Sequence, residues 1–345
     1  MDPLTHALSG ALLARAGAPR RENGLSPRLR VAAGFGAALF PDIDFALRLF
    51  GTLTYLNQHQ GITHSLLMLP LWTPLLAALF AVLAGRRGDW RLFLAPVALG
   101  LLVHIAGDVV TAFGLQAFAP LSAARYALPL VFVIDPVVTL LLTAGLLLAM
   151  RTGRAAAIGG LVAAVAYMGF LALQQRNALE VAQQHAQTLG LSPAGVAALP
   201  QPFSPFNWML IVEDGDNWLV ARVNLRRRAD AKGSAWWPGI GGRMHGAYGA
   251  GTAGDWFEAP RFGHEDAAFA REAWQHEAFT PFRDFARFGR LLKITSDQTR
   301  RCAWFADLRF ELPELGPSFR FGACQTNARP DEWELVRTRG RFWID

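Results

Sequence analysis

Apolar runs long enough to cross a bilayer constrain this chain more than any other feature. Of its 345 residues, 52% are hydrophobic, and the first half holds four runs close to the roughly 20 residues that a spanning helix needs. These runs are residues 66–84, 92–114, 128–150 and 156–174; two weaker candidates are 31–50 and 3–14. We therefore predict an α-helical polytopic membrane domain of about five to six membrane segments over residues 1–174.

Arginine placement predicts the orientation of these segments. One set of alternate loops holds ten arginines and the opposite set holds two. The ten are Arg15, Arg20, Arg21, Arg28, Arg30, Arg86, Arg87, Arg91, Arg151 and Arg154, and the two are Arg48 and Arg125. Loops rich in arginine stay in the cytoplasm, so we expect a multi-pass protein of the bacterial inner (cytoplasmic) membrane with its C-terminal part outside. The basic excess lies between apolar segments and does not indicate a nucleic-acid partner.

The chain changes character after the last apolar run. Residues 175–206 are interpreted as a helix followed by a Pro-rich connector, and 207–345 as a β-rich α+β extracytoplasmic domain. Strands are expected within 208–225, as a hairpin around an Asp-Gly turn, and at 302–312 and 333–344. Residues 265–279 are expected to form a helix, and the Gly-rich 240–254 a loop. Cys302 and Cys324 either form a disulfide, which an oxidising compartment permits, or remain two buried thiols.

Seven ionisable side chains lie in or beside the apolar segments. With the proposed orientation all seven lie toward the outer leaflet: His6, Asp42, Asp44, His59, His64, His104 and Asp108. Such residues cost roughly 2.5–3.5 kcal/mol each to insert and are functional candidates by default. His104 and Asp108 are four apart and share a helix face, with Gly107 between them leaving room for another backbone. Asp42 and Asp44, beside Pro41, are two apart and need irregular backbone to point inward together.

Histidine and carboxylate together are typical ligands of a divalent metal ion, with zinc favoured over manganese. Each residue also has a simpler interpretation taken alone, such as a loop histidine, a helix cap or a structural hydrogen bond between helices. The joint pattern favours a metal site. The predicted ligands are His6, Asp42, His59, His64, His104 and Asp108, and Asp42 and Asp44 are the predicted catalytic residues, with Asp44 acting as a general base or orienting a ligand. Asp135, before Pro136, is instead interpreted as a possible helix cap.

Four sequence stretches resemble a known family. THALSG, FPDID, HQGITHSL and HIAGDVVTAFG are similar to motifs of the YdjM-type inner-membrane proteins, described as metal-dependent hydrolases. The resemblance implies a divalent metal ion held by residues of these motifs, and a hydrolytic activity.

The leading hypothesis is a membrane hydrolase that acts on a membrane lipid or lipid-linked ester or phosphoester. The alternatives are a cation-binding transporter and a non-catalytic membrane scaffold with a structural metal. Repeated halves with matching interrupted helices would favour the transporter, whereas closed four-ligand coordination would favour the scaffold. The exported domain covers the site or binds a partner that the sequence does not identify.

Overall fold

The computed structural model describes residues 1–19, 24–227, 239–250 and 255–337. The chain divides into two compact units, Met1–Leu173 and Gln174–Asp345. The first unit is helical and the second is built mainly from two sheets, which are antiparallel except for one short parallel strand pair.

Among its described residues, seven α-helices begin in the first unit. They are α1 (Pro3–Ala16), α2 (Pro27–Leu39), α3 (Thr52–Gln58), α4 (Leu69–Leu83), α5 (Trp90–Val109), α6 (Pro136–Thr152) and α7 (Arg154–Thr188), whose last residues belong to the second unit. Among the described residues, three helical stretches are long and apolar enough to cross a membrane: Leu66–Leu83, Arg87–Val109 and Arg154–Thr188. Helix α6 is also apolar but shorter. The predicted total of five to six membrane segments stays a prediction.

Three of these helices have the same kind of N-terminal cap. Asp2, Ser26 and Asp135 each accept a hydrogen bond from a backbone N–H of the first turn, and each is followed by proline. A capping oxygen satisfies a free N–H, and proline fits the first helical position because it has no N–H to leave unsatisfied. The capping role suggested for Asp135 is confirmed.

Glycines bring α1, α2 and α5 into close contact. A Cβ added to Gly10 would overlap the Gly34 carbonyl, and one added to Gly34 would overlap the Gly10 carbonyl. A Cβ on Gly100 of α5 would lie 2.6 Å from the same Gly34 oxygen. Small residues let membrane helices approach in this way. The crossing places the three helices that hold or lead into the candidate site side by side.

The second unit holds eleven described strands and three further described helices. The strands are β1 (Val196–Pro200), β2 (Asn207–Asp214), β3 (Asn217–Asn224), β4 (Gly249–Ala250), β5 (Phe257–Pro260), β6 (Gly289–Ser296), β7 (Arg300–Asp307), β8 (Glu311–Leu312), β9 (Gly316–Pro317), β10 (Arg320–Thr326) and β11 (Arg329–Arg337). The helices are α8 (Ile240–Gly246), α9 (Ala267–Gln275) and α10 (Thr280–Phe285). One sheet has the order β1-β2-β3-β4 with β5 also on β3, the other β11-β10-β7-β6, and β8 pairs with β9.

Several sequence predictions for this unit are confirmed. Strands β2 and β3 form the expected hairpin, in which Asp214 pairs with Asn217 across a turn that begins at Gly215. The helix expected within 265–279 is α9. The sequence left open whether Cys302 and Cys324 pair; they lie opposite each other on β7 and β10 and form a disulfide.

Other predictions for this unit are wrong in part. Residues 175–200 are not all helical, because α7 ends at Thr188 and β1 begins at Val196. Residues 302–312 are not one strand: β7 ends at Asp307, whose carboxylate accepts the Arg309 N–H and starts a 3₁₀ turn. The Gly-rich stretch 240–254 contains α8 and β4, and its residues 251–254 lie outside the described part, as do residues 338–344 of the last predicted strand.

Candidate metal centre

Three segments supply the candidate ligands, each for a local reason. Helix α5 carries His104 and Asp108 one turn apart, and both are buried. Helix α2 ends before Pro41, which has no N–H to continue an α-helix, and the chain tightens into the 3₁₀ segment Pro41–Phe50 that carries Asp42. A second 3₁₀ turn, Ile62–His64, ends on the buried His64.

Four side chains from these segments converge on one point. The Nε2 atoms of His64 and His104 each lie 3.2 Å from Asp108 Oδ2 and 3.9 Å from Asp42 Oδ1. One ligand atom from each of the four residues lies within 4.8 Å of the other three. Ligands about 2.0–2.1 Å from a tetrahedral ion are roughly 3.3 Å apart, so the spacing fits a single divalent cation with Asp42 slightly withdrawn.

The inward-facing atoms of this group lack hydrogen-bond partners. His64 Nε2, His104 Nε2, Asp108 Oδ2 and Asp42 Oδ2 are buried, and none has a hydrogen-bond partner among the described residues. A buried polar atom without a partner costs about 1–3 kcal/mol. Three of these atoms, on His64, His104 and Asp108, lie around the point that Asp42 approaches with its Oδ1. This arrangement is unfavourable in the absence of a cation, and a metal ion would satisfy the three atoms together. The residues present therefore fit the metal that the sequence motifs predict.

In each ligand histidine, the contacts made by Nδ1 leave Nε2 to face the centre. His104 Nδ1 lies 2.6 Å from the Ala38 carbonyl, which only accepts, so Nδ1 carries the proton and Nε2 presents its lone pair. His64 Nδ1 lies 3.3 Å from Asp44 Oδ2 and 3.0 Å from the Thr63 hydroxyl. A carboxylate behind a histidine orients the ring and raises its basicity as a metal ligand.

Asp44 lies behind the ligands and outside the four-residue group. Its Oδ1 accepts from His59 Nδ1 at 2.6 Å, and its Oδ2 accepts from the Gln60 N–H at 3.1 Å and the Thr63 hydroxyl at 3.0 Å. Gln60 adopts a positive φ of 59° to make this contact. Asp44 is thus placed to hold the loop that carries His59 and His64.

His6 and His59 lie beside the four-residue group. The His6 ring stacks on His104 at 3.7 Å, and its Nε2 lies 3.1 Å from Asp108 Oδ1. A Cβ on Gly107 would lie 3.1 Å from the His6 ring, so this side chain occupies the space that Gly107 leaves. The sequence analysis had predicted a neighbouring backbone at this position. His59 stacks on Tyr55 at 4.6 Å and meets Phe113 edge-on.

All seven ionisable residues singled out in the sequence therefore lie in one region of the first unit. Two contributors were missed. Thr63 lies inside the HQGITHSL motif and could have been found there, whereas the Ala38 carbonyl has no signal in the sequence. In the described part of the chain, no second group of three or more histidine, cysteine or acidic residues has metal-ligating geometry.

Comparison with known proteins finds a family match for the part of the chain that holds the site. The family model for the YdjM inner membrane protein matches residues 1–178, which include every residue of the site. The uncharacterized protein YfhP of Bacillus subtilis is 29% identical over 139 residues, a stretch that covers 39% of this chain and 42% of that protein. The chain thus spans less than half the length of this relative. No solved structure matches.

Proposed function

The chain belongs to the YdjM inner membrane protein family, and from that premise we propose that it is a membrane hydrolase dependent on one divalent metal ion. The observation that carries the proposal is the set of four buried atoms without hydrogen-bond partners on Asp42, His64, His104 and Asp108. Two imidazoles and two carboxylates suit zinc or manganese. We place zinc first because His64, His104 and Asp108 have the spacing of three ligands of a tetrahedral ion, and the withdrawn Asp42 leaves a fourth position for water, unlike a closed structural site.

The residues of the site have different roles in the proposed reaction. A bound divalent cation lowers the pKa of a coordinated water toward neutrality and polarises the scissile group. Asp108 and the two histidines are fully enclosed, whereas the Asp42 side chain retains 18% exposure, so substrate approaches from the Asp42 side. Asp44 positions His64 and His59, and this role takes precedence over general-base catalysis because both of its oxygens already accept hydrogen bonds.

A membrane lipid or a lipid-linked ester or phosphoester is the proposed substrate class. Its support is the apolar setting: α4, which follows the loop that carries His59 and His64, and α5, which carries His104 and Asp108, belong to stretches apolar enough to cross a membrane. We also propose that the second unit is extracytoplasmic. The ten-to-two arginine distribution supports this orientation, and so does the Cys302–Cys324 disulfide, since disulfides persist in oxidising compartments.

The first test is metal content by mass spectrometry on detergent-purified protein. Wild type should carry close to one zinc or manganese ion per chain, and His64→Ala and His104→Ala should lose it. His264→Ala, which removes an exposed histidine of the second unit, is the matched control and should keep it. A metal-free wild type, or full occupancy in His104→Ala, would refute the site.

Hydrolysis is tested separately. Lipid phosphoesters are screened with wild type, and Asp108→Asn should abolish any turnover while leaving membrane insertion intact. Retained turnover in that variant would refute the catalytic assignment. A bound metal without turnover on any lipid ester or phosphoester would instead favour a scaffold whose metal is structural.

A further inference from the structure

The 3₁₀ segment Pro41–Phe50 has two faces of opposite character. Asp44 faces inward to the ligand loop, while four large apolar side chains on the same segment are exposed. Their exposed fractions are 62% for Ile43, 53% for Phe45, 87% for Leu49 and 77% for Phe50. In a membrane protein such a surface contacts acyl chains, so the segment that presents Asp42 to the metal centre also borders lipid.

One cation lies on this apolar surface. Arg48 is exposed, and its guanidinium lies 4.3 Å from the centre of the Phe45 ring and 4.5 Å from that of Tyr55. No carboxylate lies within ion-pair distance of Arg48 among the residues that the structure describes. Packing over the two rings and a hydrogen bond with Tyr55 hold the guanidinium in place, and its five N–H donors leave others for an anion.

The position of Arg48 relates it to the site. Tyr55 stacks on His59, and His59 is hydrogen-bonded to Asp44, so a single aromatic ring separates the guanidinium from the histidines around the centre. Arg125, the other arginine of the predicted outer loops, has a different role. Its guanidinium donates to the carbonyls of Leu56, Asn57, His59 and Gly114, which ties the ligand loop to the following segment.

We propose that Arg48 and the exposed apolar side chains of Pro41–Phe50 form the substrate-docking surface for an anionic phospholipid. The guanidinium binds the phosphodiester, while Leu49 and Phe50 contact the acyl chains. This inference rests on the proposed function, because it names the class of lipid on which the metal centre would act. Charge complementarity selects an anionic headgroup, and the four apolar side chains select a lipid over a water-soluble phosphate.

The test is native mass spectrometry of the detergent-purified protein with equal amounts of phosphatidylglycerol and phosphatidylcholine. Wild type should retain phosphatidylglycerol in preference to phosphatidylcholine, and Arg48→Gln should lower that preference about fivefold, as expected for one cation at a lipid surface. Arg48→Lys keeps the charge and should remain within about twofold of wild type. Excess glycerol 3-phosphate should not displace the lipid.

Arg91→Gln is the matched control. Arg91 is also exposed, lies over the ring of Trp90 at 5.7 Å, and sits at the opposite end of α5 from His104 and Asp108. It should retain the wild-type preference. An unchanged preference in Arg48→Gln, an equal loss in Arg91→Gln, or displacement by glycerol 3-phosphate would each overturn the proposal. Because retention is read without turnover, a metal-free wild type would refute the proposed function and leave the lipid result standing.

Discussion

The carboxylate of Asp44 offers a quantitative test of how the site is held together. Its Oδ2 faces three donors, on Gln60, Thr63 and His64, whereas its Oδ1 faces only His59. Asp44→Asn keeps the shape but leaves one acceptor oxygen. That oxygen should turn toward the three donors, so His64 keeps its partner and loses only the partner's charge. The amide then meets His59, which can respond by moving its proton to the other ring nitrogen.

Metal affinity should fall accordingly. Loss of the group that orients a metal-binding histidine lowers affinity by roughly 10–100-fold, or about 1.4–2.8 kcal/mol. Since Asp44→Asn preserves the acceptor for His64, we expect a loss near tenfold, and a loss near a hundredfold for Asp44→Ala, which removes both oxygens. The measurement is zinc affinity by competition with a chelating dye at fixed pH in detergent.

Asp135→Asn is the matched control for Asp44→Asn. Asp135 also accepts several hydrogen bonds in the first unit, from the N–H groups of Val137 and Val138 and the hydroxyl of Tyr167, but it lies outside the metal centre. Its substitution by asparagine, an equally good N-cap residue, should lower stability by less than about 1 kcal/mol and leave zinc affinity unchanged. Zinc affinity of Asp44→Asn within twofold of wild type, or an equal loss in Asp135→Asn, would refute the orienting role.

Two further substitutions test the packing of each unit. Gly34→Val should lower the thermal unfolding temperature and the metal occupancy together, because its side chain would overlap the Gly10 backbone where α1 and α2 cross. The control is Gly159→Val, where a Cβ meets nothing within 4 Å, and it should change neither quantity. Normal metal occupancy in Gly34→Val would contradict the crossing. Cys302→Ser should destabilise the second unit by about 3 kcal/mol, since the disulfide closes a sequence separation of 22 residues. Reducing agent should lower the wild-type unfolding midpoint equally, and a wild type indifferent to it would argue against the bond.

Hydropathy located the helices of the first unit better than their ends. The run 92–114 corresponds to α5, Trp90–Val109, and the run 128–150 to α6, which begins only at Pro136. Hydropathy does not see where hydrogen bonding begins, whereas Asp135 and Pro136 mark that start by capping. The break expected at FPDID was found, but for another reason. The expectation rested on the two-residue spacing of Asp42 and Asp44, whereas α2 ends because Pro41 cannot continue the α-helix.

The second unit shows why its strands were harder to delimit. Residues 302–306 are all apolar, and from Asp307 to Leu312 polar and apolar side chains alternate, so a strand-like pattern continues past the point where β7 ends. That end is set by Asp307, which is buried and accepts from the backbone N–H groups of Arg287 and Arg309. The contact with Arg287 joins positions 20 residues apart in the sequence. A local pattern contains no information about such a contact, so the strand was predicted too long.

Membership of the site was predictable, but the roles within it were not. The i, i+4 pair His104 and Asp108 follows from helix geometry alone. Whether His64 or His59 faces the centre depends on which oxygen of Asp44 each of them meets, and on Gln60 turning the loop at a positive φ. The Ala38 carbonyl fixes the proton on His104 Nδ1. Because every residue has a backbone carbonyl, the sequence does not single this one out. Ala38 is held in place because Gly10 and Gly34 let α1 and α2 touch, since a Cβ on Gly10 would also overlap the Ala38 side chain. Metal binding therefore depends on glycines that are not themselves ligands, and Gly34→Val should disrupt it as effectively as a substitution of a ligand.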